Sequence, residues 1–209
     1  MSDQIIIELI HVVPPLIWSI VAAIALLVFR SAIRENLLPR ITRFKAFGVE
    51  VEAAIKQELE KVAEAAPQSV GGSEQRTQVA RRASNHANIL RGANVLVVDD
   101  NPAGMAGTIR ILEDLGVNVE IARSTRDAMR ALQRRSFDVV NSDMRRGSDP
   151  LAGLELIREM RDASLRQPVV LYVGRYEPEK GVPAGAFGIT NRIDELINLD
   201  IDALERVRT

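Results

Sequence analysis

The second half of the chain alternates apolar runs of strand length with amphipathic segments of helix length, and that alternation leaves few folds open. NVLVVDD (94–100) reads as a buried strand ending in acids, and MAGTIRILEDLG (105–116) as an amphipathic helix closed by Gly116. VNVEIA (117–122) alternates as a second strand. STRDAMRALQRR (124–135) opens with Ser124 and Asp127 at capping-box spacing and then runs helical. FDVVNSD (137–143) is a third strand ending in an acid, followed by the helical LAGLELIREMRDA (151–163). PVVLYVG (168–174) and the short AFGIT (186–190) complete the strands, and IDELINLDIDALERVR (193–208) is the closing helix. This order implies a mostly parallel sheet covered on both faces. The simplest such architecture is α/β and flavodoxin-like, with five strands in the order 2-1-3-4-5 and ligands at their carboxyl ends.

The acids sit where that architecture binds ligands. Asp99 and Asp100 end the first strand and Asp143 ends the third. These strands are neighbours at the topological switch point, so the three carboxylates converge on one crevice. Close carboxylates repel unless a cation neutralises them, and hard oxygen donors with room for water suit Mg²⁺. A carboxylate beside such a metal can attack a phosphoryl group.

Five motifs stand in order: VLVVDDNP (95–102), FDVVNSDM (137–144), AGLELIREMR (152–161), PVVLYVG (168–174) and GAFGITNR (185–192). With them, residues 92–208 resemble the receiver domain of two-component response regulators. The resemblance implies that Asp143 is the phosphoacceptor and that Asp99, Asp100 and Asp143 hold Mg²⁺, with the main-chain carbonyl of Arg145 as a further ligand. It also implies a histidine kinase or other signalling protein as partner.

The chain departs from that family at several places. Val173 stands where a switch Ser or Thr is expected. The position of the phosphate-pairing Lys falls on Arg192, or on Asn191 with a one-residue shift, and a planar guanidinium is not a point charge. The loop MRRGSDPLAG after Asp143 is long and lacks an early proline. The connection RYEPEKGVPA (175–184) carries two prolines and a glycine, so the helix between strands four and five should be short or absent.

The N-terminal half has a different character. Leu9 to Phe29 (LIHVVPPLIWSIVAAIALLVF) holds no charged residue if His11 is neutral. About 20 apolar residues at roughly 1.5 Å each cross a hydrocarbon core of about 30 Å. The preceding MSDQIIIE is acidic and no A-x-A-like site follows, which argues for a span over a cleaved signal. Arg30, Arg34, Arg40, Arg43 and Lys45 follow the span, so the bulk of the chain is expected in the cytoplasm, on a single-pass anchor in the inner (cytoplasmic) membrane. The basic stretch also suits lipid headgroups.

Phe47 to Val51 alternates like a short strand, and Ala54, Ile55, Leu59, Val62 and Ala63 repeat like a helix whose apolar stripe either self-associates or packs on the domain. PQSVGGSEQRTQ (67–78) has the composition of a flexible linker. The basic VARRASNHANILRG then leads to a stop at Gly92. The expected organisation is a tail and transmembrane helix (1–30), a juxtamembrane basic segment with short strand and amphipathic helix (31–66), a flexible linker (67–78), and a receiver-like domain with its lead-in helix (79–209).

Charge and composition narrow the function. The 27 basic residues nearly balance the 28 acidic ones, which argues against a nucleic-acid grip. Without cysteine there is no disulfide, thiolate metal site or thiol nucleophile. No ATP-binding motif appears, GMAG (104–107) lacks both phosphate-loop spacings, and His11 and His86 have no ligand spacing around them. The expectation is a non-enzymatic, membrane-anchored signalling module of the phosphorelay type whose output is protein contact. The alternative is a pseudo-receiver head of a membrane effector or scaffold that oligomerises on a partner or ligand signal, without phosphorylation. An NAD-cleaving TIR-like enzyme is a third class, but no glutamate stands in a recognisable motif for it.

Overall fold

Five parallel strands form one sheet in the order β2-β1-β3-β4-β5: β1 (Asn94–Val98), β2 (Asn118–Ala122), β3 (Val139–Asp143), β4 (Val169–Tyr172) and β5 (Gly188–Thr190). The expected topology therefore holds. The computed structural model describes residues 38–208, with side chains from Val49 onward. The chain divides into units Met1–Phe47 and Gly48–Thr209, and the second contains the whole sheet.

The helices are α1 (Leu38–Ala65), α2 (Ser73–Asn85), the short α3 (Ala87–Leu90), α4 (Ala106–Asp114), α5 (Thr125–Arg134), α6 (Ala152–Asp162) and α7 (Ile193–Arg208). Because side chains alternate across a strand, β1 feeds two cores. Val95 and Val97 pack with Ile111 of α4 and Leu196 and Ile201 of α7. Leu96 and Val98 pack with Ala128 and Leu132 of α5 and Leu156 and Met160 of α6. The Ser124 cap forms as its spacing predicts, its hydroxyl accepting from the Asp127 N–H at 3.1 Å.

Between β4 and β5 the only regular element is a 3-10 turn, Pro178–Lys180. The helix expected to be short or absent is absent. Proline and glycine in that segment remove the donors and the helical backbone preference that a helix there would need.

The N-terminal expectations fare unevenly. The span at Leu9–Phe29 lies outside the described residues. Among the described residues no helix is long and apolar enough to cross a membrane. The strand read at Phe47–Val51 is instead part of α1. Period two would put Val49 and Val51 on one face, yet Val49 is 68% exposed and Val51 8%. Helical spacing explains the split, since Val51, Ile55 and Leu59 recur every four residues and all are buried in the α4–α7 core. Burial of side chains like Ile55 and Leu59 stabilises docking by about 1.5–3 kcal/mol each. The stripe offered for self-association thus packs on its own chain's domain. Glu58 reinforces the contact by accepting from Arg110 of α4 at 3.1 Å.

The segment read as a flexible linker is also structured. Pro67–Ser69 form a 3-10 turn, and α2 starts at Ser73. Gln75 accepts the Gly72 N–H at 2.8 Å, a local start signal hidden in polar composition. Val70 is buried in the same core.

Gly107 measures how tightly α1 docks. A Cβ there would stand 2.6 Å from Val62 Cγ2 of α1, and valine has little rotamer freedom with which to retreat. Gly107→Ala is therefore expected to destabilise the protein by about 1–3 kcal/mol through overpacking. An undocked α1 gives the opposite sign, because alanine improves a free helix by about 1 kcal/mol. Urea unfolding of the two proteins reads the sign directly.

Candidate functional site

β1 and β3 pair in parallel with Val95 opposite Val139 and Val97 opposite Asn141. Two residues further on, Asp99 and Asp143 leave the sheet at the same edge. One oxygen each from Asp99, Asp100 and Asp143 can be chosen so that all three lie within 4.8 Å of one another. The sequence prediction of convergence is met.

The three acids differ in surroundings. Asp99 is buried, Asp143 half-buried and Asp100 exposed. Asp99 accepts the Asn101 N–H at 2.8 Å, and Asp100 accepts the Gly147 N–H at 2.8 Å. Burial pushes the Asp143 carboxyl above the usual carboxylate range, and the neighbouring Asp99 charge adds to it. The Arg145 backbone amide and the Arg146 guanidinium pull the other way. A hard divalent cation relieves the same repulsion, and the donor set, three carboxylates open to water on one side, fits Mg²⁺.

Arg146 has no counterpart in the sequence expectations. Only 7% exposed, it donates from Nη1 to Ser142 Oγ (2.6 Å) and the Asp143 carbonyl (2.7 Å), and from Nη2 to Thr125 Oγ1 (2.9 Å) and the Ala152 carbonyl (2.6 Å). It ties the ends of β3, α5 and α6 together beneath the acids. The long loop after Asp143 is then closed by Arg146 and Asp149, whose amides donate to each other's carbonyls at 3.0 Å. Helix α6 abuts this loop so closely that a Cβ at Gly153 would lie 3.1 Å from both the Asp143 carbonyl and Met144 Cα.

The two degenerate positions are resolved differently. Val173 is buried and offers only its N–H, which donates to the Thr190 carbonyl at 2.9 Å. Arg192 forms an ion pair with Asp194, and its Nη2 donates to Gln75 Oε1 at 3.3 Å. Its guanidinium is engaged there, and the cation felt at Asp143 is Arg146. Tyr172 stands opposite Asp143 in the β3–β4 register and shares a hydrogen bond with Ser69. Where no helix stands between β4 and β5, a cleft of about 530 Å³ opens beside Asp143, lined also by Val173, Arg175, Tyr176 and Lys180.

Comparison with known proteins adds a family-level result. Residues 95–194 match the model of the response regulator receiver domain. No curated protein matches the chain. Similar solved structures include the chemotaxis response regulator CheY4 of Vibrio cholerae, at 28% identity over 54% of this chain and 98% of that one, with TM-score 0.46. A response regulator receiver domain protein of Clostridium thermocellum has 25% identity over 56% and 97%, with TM-score 0.46. The response regulator TrrA of Thermotoga maritima, solved with Mg²⁺ and BeF, has 21% identity over 54% and 98%, with TM-score 0.45.

Proposed function

We propose that this chain, which carries a response regulator receiver domain at residues 95–194, is a membrane-anchored phosphorelay receiver whose Asp143 accepts a phosphoryl group and whose output is protein contact. The observation that carries the reading is the meeting of the Asp99, Asp100 and Asp143 oxygens within 4.8 Å at the carboxyl rim of the sheet. Asp99, Asp100, Asp143 and the Arg145 carbonyl would hold Mg²⁺, which when bound supplies charge screening for an incoming phosphoryl group.

This chain's own residues then do the rest. An Asp143 oxygen attacks phosphorus in line, and the donor's leaving group departs with the electrons of the bond that breaks, P–N for a phosphohistidine and P–O for an acyl phosphate. Asp99 stands beside it, and Arg146 fixes the Asp143 main chain from below. The donor is a phosphohistidine of a kinase or a small acyl phosphate. The anchor is the apolar run Leu9–Phe29, and its flanking basic residues favour a cytoplasmic receiver and lipid headgroup contact.

The test is exposure of the full chain to acetyl phosphate with Mg²⁺, read by intact mass. One phosphate per chain is expected, lost in Asp143→Asn and in chelator. A chain that stays unmodified while a known receiver is labelled alongside sinks the reading.

A second reading draws on Val173 and Arg192. With no hydroxyl at the first and the second paired to Asp194, the domain would serve as a pseudo-receiver head of a membrane scaffold that assembles on a partner or ligand. That reading predicts a change of oligomeric state in membranes that Asp143→Asn leaves intact.

A further inference from the structure

A short strap, residues 66–72, joins α1 to α2 across the carboxyl rim of β4 and β5, and a cluster of polar contacts holds it down. Ser69 shares a hydrogen bond with the Tyr172 hydroxyl. Val70 is buried. The Gly71 N–H donates to Asp194 Oδ1 at 3.0 Å, and its carbonyl accepts from Arg76 Nη1 at 2.6 Å. Arg76 extends to Glu60 of α1 at 2.9 Å. Arg192 closes the clamp by pairing with Asp194 and reaching Gln75. A Cβ at Gly71 would overlap Arg192 Nη2, Gln75 Oε1 and Asp194 Oδ2, so any side chain there would push aside the ends of the clamp.

The residues holding the strap lie in one row with the acid site. Asp143 stands opposite Tyr172, and Tyr172 opposite Thr190, along adjacent strands. The Arg192 N–H donates to Thr190 Oγ1 at 3.1 Å. From Asp143 to the strap there is thus a run of direct neighbours.

We propose that the strap is the output latch of this domain: docking of residues 66–72 on Tyr172 and Arg192 competes with ligation of an oxyanion at Asp143. The proposal rests on the receiver reading above and adds what that reading leaves open, the surface through which the site acts. The physical basis is competition for donors. Arg192 serves Asp194 with Gln75 or a phosphoryl oxygen on Asp143, and Tyr172, held by its hydrogen bond from Ser69, must turn away from the strap to donate to that same oxygen. Each donor drawn toward the acid pocket is withdrawn from the strap, and the strap is what joins the receiver to α1. Coupling of this kind is reciprocal, so loosening the strap must also strengthen ligation.

The experiment uses the full chain, with Mg²⁺ and beryllofluoride as the probe, and two readouts: deuterium uptake by segment and calorimetric affinity. In the parent protein the probe should protect residues 143–147 and raise the uptake rate of 66–76 by about fivefold, a typical allosteric factor. Ser69→Ala and Gln75→Ala each remove one strap contact and leave Tyr172 and Arg192 in place. Both should raise uptake of 66–76 without probe and tighten probe binding by about two- to fivefold. Circular dichroism checks that each variant is folded, and Tyr172→Phe and Arg192→Gln, which remove the donors themselves, should raise uptake of 66–76 without tightening the probe.

Two results overturn the latch. Protection at 143–147 with unchanged uptake at 66–76, and Ser69→Ala and Gln75→Ala variants that bind like the parent, removes the coupling and leaves the receiver reading standing. Absence of any probe binding to the parent removes both, because no second site then exists to couple.

Discussion

Arg146→Met is expected to destabilise the domain by about 3–5 kcal/mol, the range for removing one partner from a buried ionic arrangement. Four acceptors lose the Arg146 donor at once, Ser142 Oγ, Thr125 Oγ1 and the carbonyls of Asp143 and Ala152, and of these the Asp143 carbonyl keeps the Ser142 hydroxyl. Burial lowers the guanidinium's own proton affinity, while Asp143, Asp100, Asp149 and Asp99 raise it, so the group is a desolvated cation held by surrounding acids. Methionine fills much of the volume and restores none of the hydrogen bonds. Arg146→Lys separates charge from geometry. It keeps the cation, but one ammonium cannot fork between β3, α5 and α6 as the planar group does. Its loss is expected to be about half that of the methionine variant. The urea midpoint at constant m-value measures both. A methionine variant within about 1 kcal/mol of the parent would show that the loop after Asp143 is held by its own turn and not by Arg146.

The contrast between Arg146 and the acids shows what this sequence discloses. Asp99 and Asp143 were legible because each closes an apolar run, and strand periodicity with one topology rule brings run ends together. Nothing periodic marks Arg146. It sits in a polar loop, and its partners come from three separate elements. The strap is hidden for the same reason, since the Gly71 to Asp194 bond spans 123 positions. Its proline, glycines and serine read as a linker by composition, yet those residues are what allow the chain to turn and press against Arg192. The misread strand at 47–51 has another cause. FGVEV satisfies period two over five residues, and only the continuation through Ile55 and Leu59 reveals period 3.6. The missing helix before β5 was legible because Pro178, Gly181 and Pro183 act locally. Local chemistry could be read along the chain, whereas clamps assembled across it could not.

A second large effect lies behind the acid pocket, two residues back along β3. Asp200 of α7 is fully buried and accepts from Asn141 Nδ2 at 2.8 Å. Its other oxygen and Asn141 Oδ1 both lack a hydrogen-bond partner. Two orphaned acceptors flanking one hydrogen bond are satisfied together if Asp200 carries a proton and donates it to Asn141. Burial, opposed in part by the Asn141 bond, accordingly pushes the Asp200 carboxyl up to about 7. The unfolded carboxyl titrates near 3.8, so between those values the folded state holds a proton that the unfolded state has released. Stability contributed by this group is therefore full below about pH 4, falls as pH rises toward 7, and is flat above it. About three pH units at roughly 1.4 kcal/mol each give a loss on the order of 4 kcal/mol.

Asp200→Asn keeps the shape, cannot ionise, and offers Asn141 Oδ1 an N–H donor. The variant should match the parent near pH 4.5 and exceed it by several kcal/mol at pH 8. The difference between the two urea-unfolding curves, taken from pH 4.5 to 8, isolates Asp200 from Asp143, whose raised carboxyl contributes the same sign to both proteins. Parallel curves across that window would mean that Asp200 is ionised within the fold, with α7 held to β3 by something other than a shared proton.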